Sequence, residues 1–360
     1  MPHCICKKFA SIKSRVTALP AFVRSRGFSP ALARDLSSVG ARCYAQNPQR
    51  LGEVSVSFRK PPALKPGDTV GIISPAAAID REFLERGMNV VRELGFEVKV
   101  SAHALSRDRI FAGQDRDRVA ELHKFFADSE VHAIFCARGG YGCGRILPMV
   151  DFEQIARAPK IFLGFSDETF LLNAFVERSR MVCFHGPMVA MDMAHGVPQR
   201  SLDHMRHLLT GELKNRELVA TDVVHPGTAE GILAGGCLSV LAAMIGTPFE
   251  PDLGGKVLFL EDTGEKPYRV DRLLVQLKQS GALAKAAAIV VGGMRGVEGT
   301  PQENALMRDF VAEQTADLGV PVLAGLEIGH RTENLTIPLG IRARVDGGAR
   351  KLVFLESAVA

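Results

Sequence analysis

Apolar positions along the chain fall into two rhythms. Apolar runs at Thr69–Ile73, Ala133–Cys136, Ile161–Leu163 and Met181–Phe184 read as buried strands, and the alternating stretch Phe96–Val100 as a further strand. Between them the spacing turns helical. Leu84, Met88, Val91 and Leu94 share one helical face with Gly95 just beyond as a stop, and further helices are expected near Asp115–Ala127 and over Phe170–Phe175. Strands alternating with helices of this length imply a parallel sheet covered on both faces. Ligands of such sheets gather beyond the carboxyl ends of the strands, where Ser74, Arg138 and Ser166 fall.

From about Gly186 to Val224 the pattern weakens, leaving one helix near Arg200–Leu209. A second alternation follows: a strand up to Leu233, a helix over Cys237–Ile245 and a strand at Val257–Leu260. The next helix starts at Tyr268, sets Val270, Leu273, Leu274 and Leu277 on one face, and stops at Gly281. A strand at Ala288–Val291 and a helix near Asn304–Ala316 precede short strands at Val322–Ala324, Asn334–Ile337, Ile341–Val345 and Leu352–Leu355. That strand-rich end predicts a mixed α/β or barrel-like layer. The chain therefore divides into an extension (1–57), an N-terminal α/β domain with a parallel sheet (58–190), a connection (191–224) and a smaller, β-rich α/β C-terminal domain (225–360).

Composition changes the picture at one end only. The 360 residues are 46% hydrophobic and 23% charged, ordinary for a globular chain, and no apolar run is long enough to suggest a membrane span. The net charge of +4 is misleading, because residues 1–50 hold nine of the 44 Lys/Arg and one of the 40 Asp/Glu (Asp35). The remainder is mildly acidic and lacks the basic stripe that nucleic-acid binding requires. The extension, rich in Arg, Ser and Ala, has the composition of a mitochondrial transit peptide, and Arg42-Cys43-Tyr44-Ala45 resembles a matrix-processing site. Equally, it reads as a basic tail from a misassigned start. A cytoplasmic location is expected on the second reading, and the mitochondrial matrix if residues 1–44 are a genuine presequence. Seven cysteines without a Cys-x-x-Cys point to neither a disulfide framework nor a zinc site.

The candidate chemistry lies at strand ends. Leu163-Gly164-Phe165-Ser166-Asp167-Glu168-Thr169 sets a serine at a strand-to-helix turn, where the helix start offers free backbone N–H groups. Taken alone, the same residues also read as an ordinary helix N-cap. Arg138-Gly139-Gly140-Tyr141-Gly142 follows another strand, and its glycines let backbone N–H groups approach an anion. It matches neither a dinucleotide fingerprint nor a P-loop. Glu261-Asp262 and Gly329-His330 end two strands of the second half.

Together with Gly71-Ile72-Ile73-Ser74-Pro75-Ala76, Gly235-Gly236-Cys237-Leu238-Ser239 and Pro267-Tyr268-Arg269-Val270-Asp271-Arg272, these stretches resemble, in order over roughly residues 58–358, the LD-carboxypeptidase family. That family includes the microcin C immunity peptidases. The resemblance implies a flavodoxin-like (class I glutamine-amidotransferase-like) N-terminal domain, a β-rich C-terminal domain and a catalytic site between them. It implies Ser166 as nucleophile, Glu261 as the acidic member and His330 as the base. The oxyanion would be received by backbone N–H groups of Asp167 and of Gly139 or Gly140, with Ser74, Arg138 and Tyr141 contacting substrate. The implied reaction is release of a C-terminal D-amino acid from a murein-type tetrapeptide, without metal or cofactor, by a homodimer. An immunity-type amidase acting on aminoacyl-nucleotide analogues is the alternative, weakened because the chain has no Trp to stack a nucleobase. A binding protein without activity is a third reading, opposed by the intact Ser, Glu and His. One departure is visible: Cys237 stands where many members carry Asn.

Overall fold

Two β-sheets carry the fold, and the computed structural model describes residues 58–214 and 216–360. The first sheet takes β1 (Thr69–Ile73), β2 (Glu97–Val100), β3 (Ala133–Cys136), β4 (Ile161–Gly164) and β5 (Cys183–His185) in the parallel order β2-β1-β3-β4-β5. This is the flavodoxin-like order, which reverses direction between β1 and β3. Strands β3 and β4 are buried at every position, as expected of a parallel sheet covered on both faces. The helix Arg81–Glu93 presents Leu84 and Val91 to the core, and the helix Asp115–Ala127 presents Leu122, Phe125 and Phe126.

The second sheet is mixed. It is built from β6 (Glu217–Val219), β7 (Asp222–His225), β8 (Thr228–Cys237), β9 (Val257–Glu265), β10 (Ala288–Gly296), β11 (Val322–Ala324), β13 (Arg342–Asp346) and β14 (Lys351–Phe354). Strands β8 to β11 run parallel, while β13, β14 and β6 flank them antiparallel on one side and β7 on the other. Helices Pro267–Gln279 and Pro301–Thr315 bury Val270, Leu274, Leu277, Met307 and Val311 in a second apolar cluster with Leu258, Leu260 and Ile289.

Strand β12 (Ile337–Leu339) departs from the expected placement of a strand at Asn334–Ile337 among the C-terminal group. It begins where that strand was expected to end, and it crosses to the first sheet to pair antiparallel with β5. Ile337 and Leu339 are fully buried there, and β5 is relieved of an unpaired edge.

The two sheets are also joined beside the candidate nucleophile. The helix Thr169–Ala174 meets the end of β8: the Asn173 amide donates to Gly235 O (3.0 Å) and accepts from Gly235 N (3.2 Å). Thr169 Oγ1 accepts from Cys237 N at 3.1 Å. Gly236 permits this approach, since a Cβ there would fall 2.6 Å from Thr169 Oγ1. The described residues form one compact unit. The basic extension proposed for residues 1–57 lies outside the described residues.

Candidate active site

Ser166 leaves β4 on a sharp turn. Its φ of +63° is in the left-handed region, which a serine occupies only when its surroundings enforce it. The turn Ser166–Glu168 runs directly into the helix Thr169–Ala174, so the N–H groups of the first turn have no partner within the helix. Gly139, at the end of the β3 loop, touches this turn. A Cβ on Gly139 would lie 2.9 Å from Ser166 Cβ and 3.2 Å from its Oγ, so only glycine lets the two backbones meet. Gly140 follows at φ +101°, where a Cβ would press on Ala77. The Asp167 carboxylate accepts from Cys143 N at 2.7 Å and so ties the glycine loop to the serine turn.

The carboxylate and imidazole come from the other sheet. Glu261 lies in β9 opposite Cys237 of β8, and His330 sits in the loop after β11. Glu261 Oε2 bonds His330 Nδ1 at 2.6 Å and accepts from the His330 backbone N–H at 3.0 Å. Gly329 makes the double contact possible: with φ +89°, it carries the chain across the carboxylate where a Cβ would lie 2.5 Å from Oε2. Gly329 N in turn donates to Asn334 Oδ1 at 2.8 Å, fixing the loop.

The electrostatics follow from these partners. Burial, the largest influence on Glu261, pushes its carboxyl up, but His330 and His185 together pull it down to about 2. Burial pulls His330 down, yet the Glu261 charge and hydrogen bond outweigh it and raise the imidazole above its ordinary value. Because Glu261 occupies Nδ1, the free Nε2 is the nitrogen available for proton transfer.

The structure thus brings Glu261 and His330 into direct contact, and it brings Gly139 and Ser166 into direct contact. The two pairs meet through Phe165, whose ring centroid lies 4.7 Å from that of His330. Among the described residues no hydrogen bond joins the Ser166 hydroxyl to the imidazole. Of the residues expected to touch substrate, Ser74 is buried and donates its hydroxyl to Ala104 O (3.0 Å). Arg138 donates to Ala78 O (3.3 Å), and Tyr141 is half exposed against Phe111, with ring centroids 5.7 Å apart. The Cys237 thiol is buried and pushed well above its ordinary value, first by burial and then by Asp262 and Glu261, which leaves it a poor nucleophile.

Two side chains had no sequence argument behind them. His185, at the end of β5, is fully buried, and its Nε2 lies 3.6 Å from Glu261 Oε1. Its ring packs on Phe165 and Phe259, at 5.3 and 4.9 Å between centroids. Glu168, two residues after the serine, is also fully buried, and among the described residues neither carboxyl oxygen has a hydrogen-bond partner. The available signal for His185 was its place at the carboxyl end of an apolar strand. Glu168 gave none, because a glutamate in a first helical turn looks like a dipole partner.

The family model for the LD-carboxypeptidase N-terminal domain matches residues 70–186, and that for the C-terminal domain matches residues 230–345. A probable murein peptide carboxypeptidase of Bacillus subtilis is 39% identical over 319 residues, covering 86% of this chain and 97% of its own. The crystal structure of muramoyltetrapeptide carboxypeptidase from Oxalobacter formigenes superposes with a TM-score of 0.70 at 32% identity, covering 79% of this chain and 97% of that one. An MccF-like protein of Bacillus anthracis superposes with a TM-score of 0.73 at 28% identity, covering 82% and 98%. The chain belongs to the LD-carboxypeptidase family and is a serine-type peptidase.

Proposed function

We propose that this peptidase removes a C-terminal D-amino acid from a murein-type tetrapeptide, using Ser166 as nucleophile, His330 as base and Glu261 as the group that orients and stabilises the imidazole. The observation that carries the reading is the Glu261–His330 hydrogen bond, held against the residue that precedes a left-handed serine. In this reaction Ser166 Oγ attacks the carbonyl carbon of the L,D-amide and its proton passes to His330 Nε2. The tetrahedral oxyanion is received by backbone N–H groups of Asp167 and of Gly139 or Gly140. Collapse breaks the C–N bond, and the imidazolium returns its proton to the departing amine. Water then attacks the acyl-serine with His330 again as base, releasing the shortened peptide. The lack of a direct Ser166–His330 hydrogen bond suits such a site, since these bonds commonly tighten only around bound substrate.

The tests are a substrate comparison and a variant. Purified protein should release D-alanine from a murein tetrapeptide and leave an aminoacyl sulfamoyl adenosine largely intact. The reverse preference would move the assignment to the immunity-type branch. Ser166→Ala should lower turnover by a factor on the order of 10⁴ or more while still binding the peptide. Full activity in that variant would remove the serine from the chemistry.

A further inference from the structure

The loop that carries His330 is gripped from outside both halves of the site, by the helix Gln199–Leu209 of the connecting segment. That helix buries Met205, Leu208 and Leu209, and the same face holds a serine. Ser201 is fully buried at a position where helical spacing from Met205 and Leu208 calls for an apolar residue. Its hydroxyl donates to Glu333 Oε2 at 2.7 Å and accepts from Asn334 N at 3.2 Å. On the next turn, His204 donates from Nε2 to Thr336 O at 2.9 Å, and Arg200 pairs with Glu327 on the solvent side. One helix thus holds the catalytic loop at Glu327, Glu333, Asn334 and Thr336.

Asn334 passes that grip to the imidazole. Its Oδ1 accepts from Gly329 N at 2.8 Å. Gly329 is the left-handed residue, at φ +89°, that lets His330 meet Glu261 Oε2 through both its backbone N–H (3.0 Å) and its Nδ1 (2.6 Å). Asn334 is buried, and its Nδ2 has no acceptor among the described residues. A buried donor without a partner is destabilising, and an apolar side chain of similar size would avoid it. The amide therefore stands where it harms stability and where its oxygen fixes the backbone one residue before His330. Ser201 repeats the pattern, a hydroxyl in an apolar stripe directed at the backbone of Asn334.

Resting on the peptidase reading above, we infer that Ser201 and Asn334 are positioning residues for His330. Ser201 locks the backbone of Asn334, Asn334 locks Gly329, and Gly329 presents His330 to Glu261 in the orientation that leaves Nε2 free. The connecting segment is then part of the catalytic apparatus and not merely a tether between two halves.

The experiment reads the Glu261–His330 hydrogen bond directly, with turnover beside it. A proton held in a charge-assisted bond between carboxylate and imidazole is strongly deshielded, so its proton NMR signal lies downfield of the backbone amides. Loss of the signal in His330→Gln identifies it. Asn334→Ala should broaden or abolish the signal through faster exchange with solvent, lower kcat on a murein tetrapeptide about tenfold and leave KM nearly unchanged. Ser201→Ala should act in the same direction more mildly, about threefold in kcat. Asn334→Asp keeps the oxygen that Gly329 needs and should recover the signal and most of the turnover lost in Asn334→Ala. Should Asn334→Ala fail to fold, Ser201→Ala and Asn334→Asp carry the test between them. A signal that responds to these substitutions in a protein releasing no D-alanine upholds the positioning pair and overturns the peptidase reading instead. A lowered melting temperature with signal and kcat unchanged would make both residues packing groups and overturn the inference. Equal losses in Asn334→Ala and Asn334→Asp would overturn it too, because the shared oxygen would then not matter.

Discussion

Two glutamates at the facing ends of the two sheets are equally buried, at 0% exposure, and meet opposite fates. Glu261, at the end of the second sheet, has an imidazole and a backbone N–H on one oxygen and a second imidazole 3.6 Å from the other. Glu168, in the turn after β4, has no donor on either oxygen among the described residues, and the charge of Asp167 acts on it. Burial first, then the charge of Asp167, holds its carboxyl well above the ordinary value and favours its neutral form, whereas the partners of Glu261 favour the charged one. Burial alone therefore does not set the charge; the donors within reach do. The division is also useful chemically. In the proposed mechanism a charge on Glu261 would stabilise an imidazolium, whereas a charge on Glu168 would oppose an oxyanion at Ser166. A Cβ on Gly139 would lie 3.1 Å from Glu168 Oε2 and 3.2 Å from Ser166 Oγ, so Glu168 sits directly beneath the reacting turn.

The harshest test of this contrast is Glu261→Gln. The amide keeps the shape but cannot hold the tautomer or the charge, and kcat/KM should fall by a factor on the order of 10⁴. The residual activity should also change its pH dependence. In the proposed mechanism His330 is the base and works only when neutral, so its raised value should place the acid limb of the wild-type profile above the ordinary 6.5. Without Glu261, burial prevails and the imidazole value drops, so the limb of the variant should move to lower pH. An unmoved limb would mean that the measured ionisation belongs to another group.

Next in size is His185→Phe. It removes the imidazole that lies 3.6 Å from Glu261 Oε1 while filling the apolar space against Phe165 and Phe259. The 3.6 Å separation is too long for a hydrogen bond, so losing this weaker polar contact should cost on the order of 3-fold in kcat, with little change in KM. A change confined to thermal stability would leave His185 a packing residue.

These pairings also show what a sequence conveys. The strands of the first sheet were legible because double-sided burial makes their residues unbroken apolar runs, as in Ala133–Cys136. Alternation with helices implied a parallel sheet, but the order β2-β1-β3-β4-β5 was reachable only through the flavodoxin-like resemblance, since alternation fits other orders equally. The contact between Glu261 and His330 was reached through resemblance alone, since 69 positions separate them and neither stretch carries a local signal for the other. Strand β12 was misplaced for a similar reason. Three residues, Ile337-Pro338-Leu339, fit either sheet by pattern, and only the unpaired edge of β5 decides between them. His185 and Glu168 were invisible as site residues because their roles rest on what surrounds them in three dimensions.

The gentlest test is Glu168→Gln, and it isolates charge from shape. Below pH 4.5, the ordinary value for this side chain, Glu168 is protonated whether the chain is folded or not and contributes no pH dependence. As the pH rises through 4.5 the unfolded chain releases a proton that the folded chain retains, so stability falls with pH until the raised folded value is reached. Glu261 acts in the opposite sense: its contribution is complete above 4.5 and is lost as the pH drops toward about 2. Glutamine at 168 removes the first of these trends only. The melting temperature of Glu168→Gln relative to wild type should therefore climb steadily with pH above 4.5, whatever constant offset its second N–H donor imposes. Turnover should stay within a few-fold of wild type, because a neutral group replaces a neutral group. A temperature difference that stays flat with pH would mean that Glu168 ionises freely in the folded protein, and the contrast with Glu261 would then have to rest on something other than charge.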